Sequence, residues 1–147
     1  MMDILVDFKS VDAFYVSESD LMVLLERVCE EYNFVVGSFS FVFCDDSFLL
    51  EINQEFLNHD YYTDIITFDY TEDGVVSGDL LISVETVLSN AILYSTSYLA
   101  ELFRVLVHGL LHLCGLRDKE EEDVLVMRKA EAHFLGLCAN PFVSRET

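Results

Sequence analysis

The chain is poor in positive charge. Eight Lys and Arg stand against 27 Asp and Glu, a formal net charge of −19 over 147 residues. A body so acidic repels a nucleic-acid backbone at long range. Cysteine pairs are lacking too: Cys29, Cys44, Cys114 and Cys138 are scattered and none forms a C-x-x-C. They read as buried free thiols in a reducing cytosol. No apolar run is long enough to span a bilayer, because the longest is interrupted by Arg104, His108 and His112. The first ten residues, MMDILVDFKS, have neither a basic region nor a cleavage-site pattern. A cytoplasmic protein without a membrane partner is expected. Repeats, low-complexity tracts and linkers are absent, so residues 1–140 read as one domain. Residues 141–147, opening on the lone Pro141, read as a flexible tail.

What is present is an apolar, patterned chain. Hydrophobic residues make up 52% and charged residues 24%, which indicates a packed globular domain. Residues 3–8 read as a strand. Ser17 with Asp20 signals a helix start, and Leu21, Leu24, Leu25, Val28 and Cys29 recur at helical spacing to about residue 32. SFSFVFC alternates, with Phe39, Phe41 and Phe43 on one face of a strand. Asp46 and Ser47 offer an N-cap to a helix over 47–57, with Phe48, Ile52 and Phe56 on its buried side. After the polar turn NHDYYTD, strands over 65–70 and 78–83 flank the hairpin signal TEDG and should pair antiparallel. A helix over residues 84–95, a central helix over 98–115 capped by STS, and a last helix over 120–136 complete an α+β fold. The sheet has about four strands, mixed in direction, with about five helices packed on it.

The chemistry concentrates in VLVHGLLHLCGLRD, residues 105–118. His108 and His112 are four apart on a helix and therefore project from one face, a spacing that suits two ligands of one metal ion. Gly115 ends the helix, and the chain can then bring the Asp118 carboxylate to the same ion. Two imidazoles, one carboxylate and an open position describe a catalytic metal site. Two packed, hydrogen-bonded core histidines satisfy the same spacing, and Asp118 can equally be a solvated acid at a helix start. Gly109 occupies the place where a zinc protease carries its general base, which disfavours that chemistry. Cys114, two past His112, points to another side.

The same stretch resembles the signature of the YbeY family, H-G-x-L-H-L-x-G-x-D-H. His108, Gly109, Leu111, His112, Leu113 and Gly115 match in place, while Asp118 stands where the family has a third His and Arg117 where it has an acid. INQEFLNHDYYTDIITF, residues 52–68, is similar to a second family segment, and GDLLIS, residues 78–83, to a third. The resemblance implies a metal-dependent endoribonuclease of ribosomal RNA maturation and ribosome quality control, processing near an end of the small-subunit RNA. It implies a zinc ion held by His108, His112 and Asp118, in a cleft between the sheet and the histidine helix. Manganese, nickel or iron are alternatives, since Asp118 supplies a harder oxygen ligand. The partners implied are ribosomal RNA and the ribosome or its small subunit, and no organic cofactor is expected.

Thr63 and Asp64 match the family's cleft-lining T-D pair, and Asp79 matches the acid of its third motif. The family Arg of the middle segment corresponds to Leu57, which can neither bind phosphate nor stabilise developing charge. His59, two residues on, is a candidate phosphate contact or proton donor, or an exposed turn histidine. Five of the eight cations, Arg104, Arg117, Lys119, Arg128 and Lys129, bracket the metal stretch. They form either a positive rim or pairs with Glu120, Glu121, Glu122 and Asp123. Two further functions fit the residues: a metal-stabilised ribosome assembly factor with little cleavage, and another metal-dependent hydrolase or a two-His, one-carboxylate iron oxygenase.

Overall fold

Alternating apolar residues in three chain segments generate a parallel core sheet, onto which a hairpin adds a fourth, antiparallel strand. The computed structural model describes residues 3–57 and 63–144. Their order is β1 (Asp3–Lys9), α1 (Glu18–Glu31), β2 (Val35–Cys44), α2 (Asp46–Phe56), β3 (Ile65–Asp69), β4 (Val75–Ser83), α3 (Val84–Leu93), α4 (Tyr98–Leu113) and α5 (Glu121–Leu137). The sheet runs β1-β2-β4-β3; β1, β2 and β4 are parallel, and β3 pairs antiparallel to β4. The β3–β4 hairpin turns through Asp73 (φ 52°) and Gly74 (φ 79°), the left-handed pair of a tight hairpin turn. This is the α+β arrangement the sequence indicates, with four strands and five helices. No described helix is long and apolar enough to cross a membrane.

The period-two pattern sorts side chains between two faces. Phe39, Phe41 and Phe43 of β2 and Leu80 and Ile82 of β4 point into the main core, where Leu21, Leu24 and Leu25 of α1 meet Leu102, Leu106 and Leu110 of α4. All are at most 3% exposed, and each such side chain contributes about 1.5–3 kcal/mol by leaving water. The opposite face carries Ile66, Leu81 and Cys44 under α2, packed with Leu49. Ser17 caps α1 and Ser97 caps α4, each accepting a backbone N–H three residues on.

Three expectations need correction. Asp45, not Asp46 or Ser47, caps α2 by accepting from Phe48 N at 2.9 Å. Asp46 instead accepts from the hydroxyls of Ser83 and Thr86, tying α2 to the start of α3. Of the residues expected on the buried side of α2, Phe48 and Ile52 pack partly buried against the second cluster beside the buried Leu49 and Asn53, whereas Phe56 is 61% exposed. That helix packs on β3, β4 and α3, and at its last turn Phe56 sets its ring edge-on against Phe68. The stretch read as a tail is docked at its first two described residues. Pro141 O accepts from Ser17 N at 2.8 Å, and Phe142, 4% exposed, sets its ring edge-on against Phe43.

Candidate metal centre

Helix α4 is apolar on nearly all sides and lies between the sheet, α1, α3 and α5. Gly109 lets it approach the sheet closely. A Cβ there would stand 2.5 Å from Ile65 Cδ1 and 2.8 Å from Leu80 Cδ2. The residue replacing a protease's general base is thus the contact that presses the histidine helix onto β3 and β4. At the other end the helix closes with Gly115 N donating to His112 O and Leu116 N to Leu111 O, Gly115 being at φ 101°.

That turn positions both remaining parts of the site. Leu116 O accepts from His112 Nδ1 at 2.9 Å, and two residues on, Asp118 Oδ2 lies 3.2 Å from His112 Nε2 and 3.1 Å from His108 Nε2. The two Nε2 atoms are 2.9 Å apart. On the far side of the first imidazole, Glu131 of α5 takes His108 Nδ1 at 2.7 Å. Glu131 is itself held by Arg104 Nη1 at 3.1 Å, and the rest of that guanidinium forks onto Glu101 at 2.9 and 2.8 Å.

Both imidazoles therefore direct Nδ1 at an acceptor, which assigns the proton to Nδ1 and leaves the Nε2 lone pair facing inward. Two such lone pairs and a carboxylate oxygen converge with no donor between them, an arrangement that a cation satisfies. The spacing fits: ligands at about 2.0–2.1 Å around a tetrahedral ion stand about 3.3 Å from each other. Among the described residues, these three form the group with ligand atoms placed to share an ion. Cys114 is buried in the main core with Cys29 and is not part of this group.

The electrostatics follow from burial and pairing. Burial works against a charged His108, but its hydrogen bond to Glu131 and the charges of Glu131, Asp118 and Asp64 outweigh this and raise its pKa above the ordinary imidazole value. Burial pushes Glu131 up, yet His108 and Arg104 together hold it below the usual carboxylate range. The Glu101 hydrogen bonds drive Arg104 well above an ordinary guanidinium. Across the cleft, burial raises the Asp64 carboxyl above its ordinary value, with Arg104 and His108 opposing.

His108, His112 and Asp118 wall a cavity of about 440 Å³ together with Thr63, Asp64 and Asp69. Thr63 and Asp64 thus share the histidine cleft. His59 lies outside the described residues. Leu57 is the C-cap of α2 and Asp79 accepts from the Tyr70 hydroxyl on another part of β4. Glu131 has no motif around it and carries no sequence signal, and Arg104 reads in the sequence only as one of the cations bracketing the stretch; the packing of α5 on α4 joins the two. His133, also on α5, faces Glu31 instead, 3.7 Å away.

Fold and site together define a small α+β domain with a two-histidine, one-carboxylate centre at the mouth of an open cleft. The family model described as endoribonuclease YbeY matches residues 9–138, and the chain belongs to that family. Among its relatives, the endoribonuclease YbeY of Porphyromonas gingivalis is 55% identical over 111 residues, covering 76% of this chain and 74% of that one. The endoribonuclease YbeY of Christiangramia forsetii is 43% identical over 133 residues, 90% and 93% of the two chains. The solution structure of TM1509 from Thermotoga maritima shares the fold, with a TM-score of 0.59, 24% identity, and 90% and 91% of the chains covered.

Proposed function

We propose that the protein is a metal-dependent endoribonuclease that cuts single-stranded ribosomal RNA near an end of the small-subunit RNA, in the cytoplasm, with zinc held by His108, His112 and Asp118. The observation that carries this reading is the convergence of two inward Nε2 lone pairs and the Asp118 carboxylate at the open side of a polar cleft. Membership in a family whose members are named endoribonucleases supplies the bond to be cut. A bound divalent ion supplies Lewis-acid polarisation of a phosphoryl oxygen and makes water more acidic. Glu131 and the Leu116 carbonyl fix the imidazole tautomers. Asp64, whose burial raises its proton affinity, faces the ligands across the cleft. It takes the proton of the attacking water, and Thr63 orients that water beside it. Work on the ribosome and in ribosome quality control follows from the choice of RNA.

A second reading, a metal-stabilised ribosome assembly factor with little cleavage, draws support from Leu57 and the charge of −19. One experiment separates the two. Purified protein is incubated with end-labelled single-stranded RNA, with and without added zinc, beside His112→Ala. Metal-dependent cuts that vanish in the variant support the nuclease. RNA bound but uncut by metal-loaded wild type favours the assembly factor, and cuts that persist in the variant expose a contaminant.

A further inference from the structure

Positive charge is scarce in this chain, so its placement is informative. Lys9 lies 3.3 Å from Asp7, and Arg104 is committed to Glu101 and Glu131. Arg117 and Lys119 differ. They flank Asp118 on the turn after α4, both side chains are exposed, and neither forms an ion pair among the described residues. That holds although Glu120, Glu121, Glu122 and Asp123 follow directly in sequence, so the pairing offered as the alternative for these two cations is not formed.

Local geometry explains their direction. Gly115 throws the chain out of the helix, and residues 116–118 run without helical structure. Burial alternates along it: Leu116 and Asp118 are half-buried and Arg117 and Lys119 exposed, so the turn that delivers Asp118 to the histidines also turns the two flanking cations outward. They line a second pocket of about 230 Å³ together with His112, Leu116 and Asp118. His112 and Asp118 also wall the main cleft, so the two cavities adjoin across the ligands themselves. The sheet side of that cleft contributes the carboxyls of Asp64 and Asp69, and Leu57 brings no charge.

We propose that Arg117 and Lys119 form a phosphate subsite that holds the backbone of single-stranded RNA next to the phosphodiester presented to His108, His112 and Asp118. This rests on the endoribonuclease reading and adds to it the wall from which the strand is gripped. Arg117 presents a planar fork to two phosphate oxygens, and Lys119 a mobile point charge. The −19 body repels RNA at a distance, but at physiological salt fields fade within about 8 Å. Two unpaired cations beside the metal ligands thus decide where the strand enters.

The test compares two double variants with the same change in net charge. Arg117→Ala/Lys119→Ala removes the subsite; Arg128→Ala/Lys129→Ala removes two exposed cations of α5. Binding of a short fluorescein-labelled single-stranded RNA is followed by anisotropy across a salt series, with cleavage kinetics and a thermal melt alongside. Each phosphate contact on a single strand contributes about 0.7 to the salt slope, so the first variant should lower it by about 1.4. Its loss should fall on KM rather than kcat, with an unchanged melt, while the α5 variant keeps the wild-type slope. Equal falls in both variants would show a general charge effect and overturn the subsite, as would wild-type binding by the first variant. Wild-type protein that neither binds nor cuts the RNA defeats the endoribonuclease reading, and the subsite with it.

Discussion

Glu131 divides its two carboxylate oxygens between two residues of α4: Oε2 takes His108 Nδ1 at 2.7 Å, and Oε1 takes Arg104 Nη1 at 3.1 Å. A single acid on a neighbouring helix thus fixes the tautomer of one imidazole while a guanidinium one helical turn away fixes the acid. Replacing Glu131 by Gln keeps the shape but removes the acceptor charge. Zinc affinity, read by competition with a chromophoric chelator, should fall by about 10–100-fold. Unchanged affinity would mean that the pair only packs α5 on α4.

Arg104→Ala should act mainly on stability. It strands Glu101, 3% exposed, without its cation and leaves Glu131, 4% exposed, with His108 alone. Breaking a buried pair from one side costs about 3–5 kcal/mol; because the Arg104 side chain is 28% exposed, the lower end is expected. Urea unfolding monitored by circular dichroism measures it.

At Asp118, the family's usual ligand offers a rescue. Asp118→Ala should release the metal measured by elemental mass spectrometry on untagged protein, whereas Asp118→His should keep close to the wild-type content. Loss in both variants would mean that the turn positions only an oxygen ligand, and retention in Ala would remove Asp118 from the coordination sphere.

Asp64→Asn should separate activity from stability. Its folded pKa is raised, so ionisation disfavours the fold: the contribution of Asp64 is full below the unfolded carboxyl pKa and is lost as pH rises through the folded one. At neutral pH the Asn variant escapes that cost and should melt no lower than wild type. Its kcat should nevertheless drop by about 10²–10⁴-fold if Asp64 takes the proton. A variant with normal kcat would remove it from the chemistry.

Gly109→Ala tests the approach of α4 to the sheet. The added methyl meets Ile65 and Leu80 at 2.5 and 2.8 Å, and overpacking of this kind costs about 1–3 kcal/mol. Because His108 adjoins it, metal affinity should weaken as well. A melt and a chelator titration of the same sample check both effects.

How much of this was legible beforehand depends on the range of the interaction. Leu21, Leu24, Leu25 and Val28 announce α1 through spacing alone, and Phe39, Phe41 and Phe43 announce the buried face of β2. The hairpin is written in Asp73 and Gly74, whose left-handed backbone few other residues adopt easily. Where two local signals compete, reading fails. Asp45, Asp46 and Ser47 can each cap a helix, and the choice fell to Asp45 because Asp46 is drawn away by Ser83 and Thr86, far along the chain.

By itself, the sequence determined that His108 and His112 share a helix face, that the helix stops at Gly115, and that Asp118 follows within reach of both. Those facts depend on a few consecutive residues and on backbone geometry. Tertiary structure alone decided the rest: that Glu131 comes to His108, that Arg104 pairs inward instead of joining a positive rim, and that Arg117 and Lys119 form no ion pair among the described residues beside His112 and Asp118. Each of these depends on which helix packs against which, a matter settled by burying apolar surface over the whole domain rather than by any local pattern.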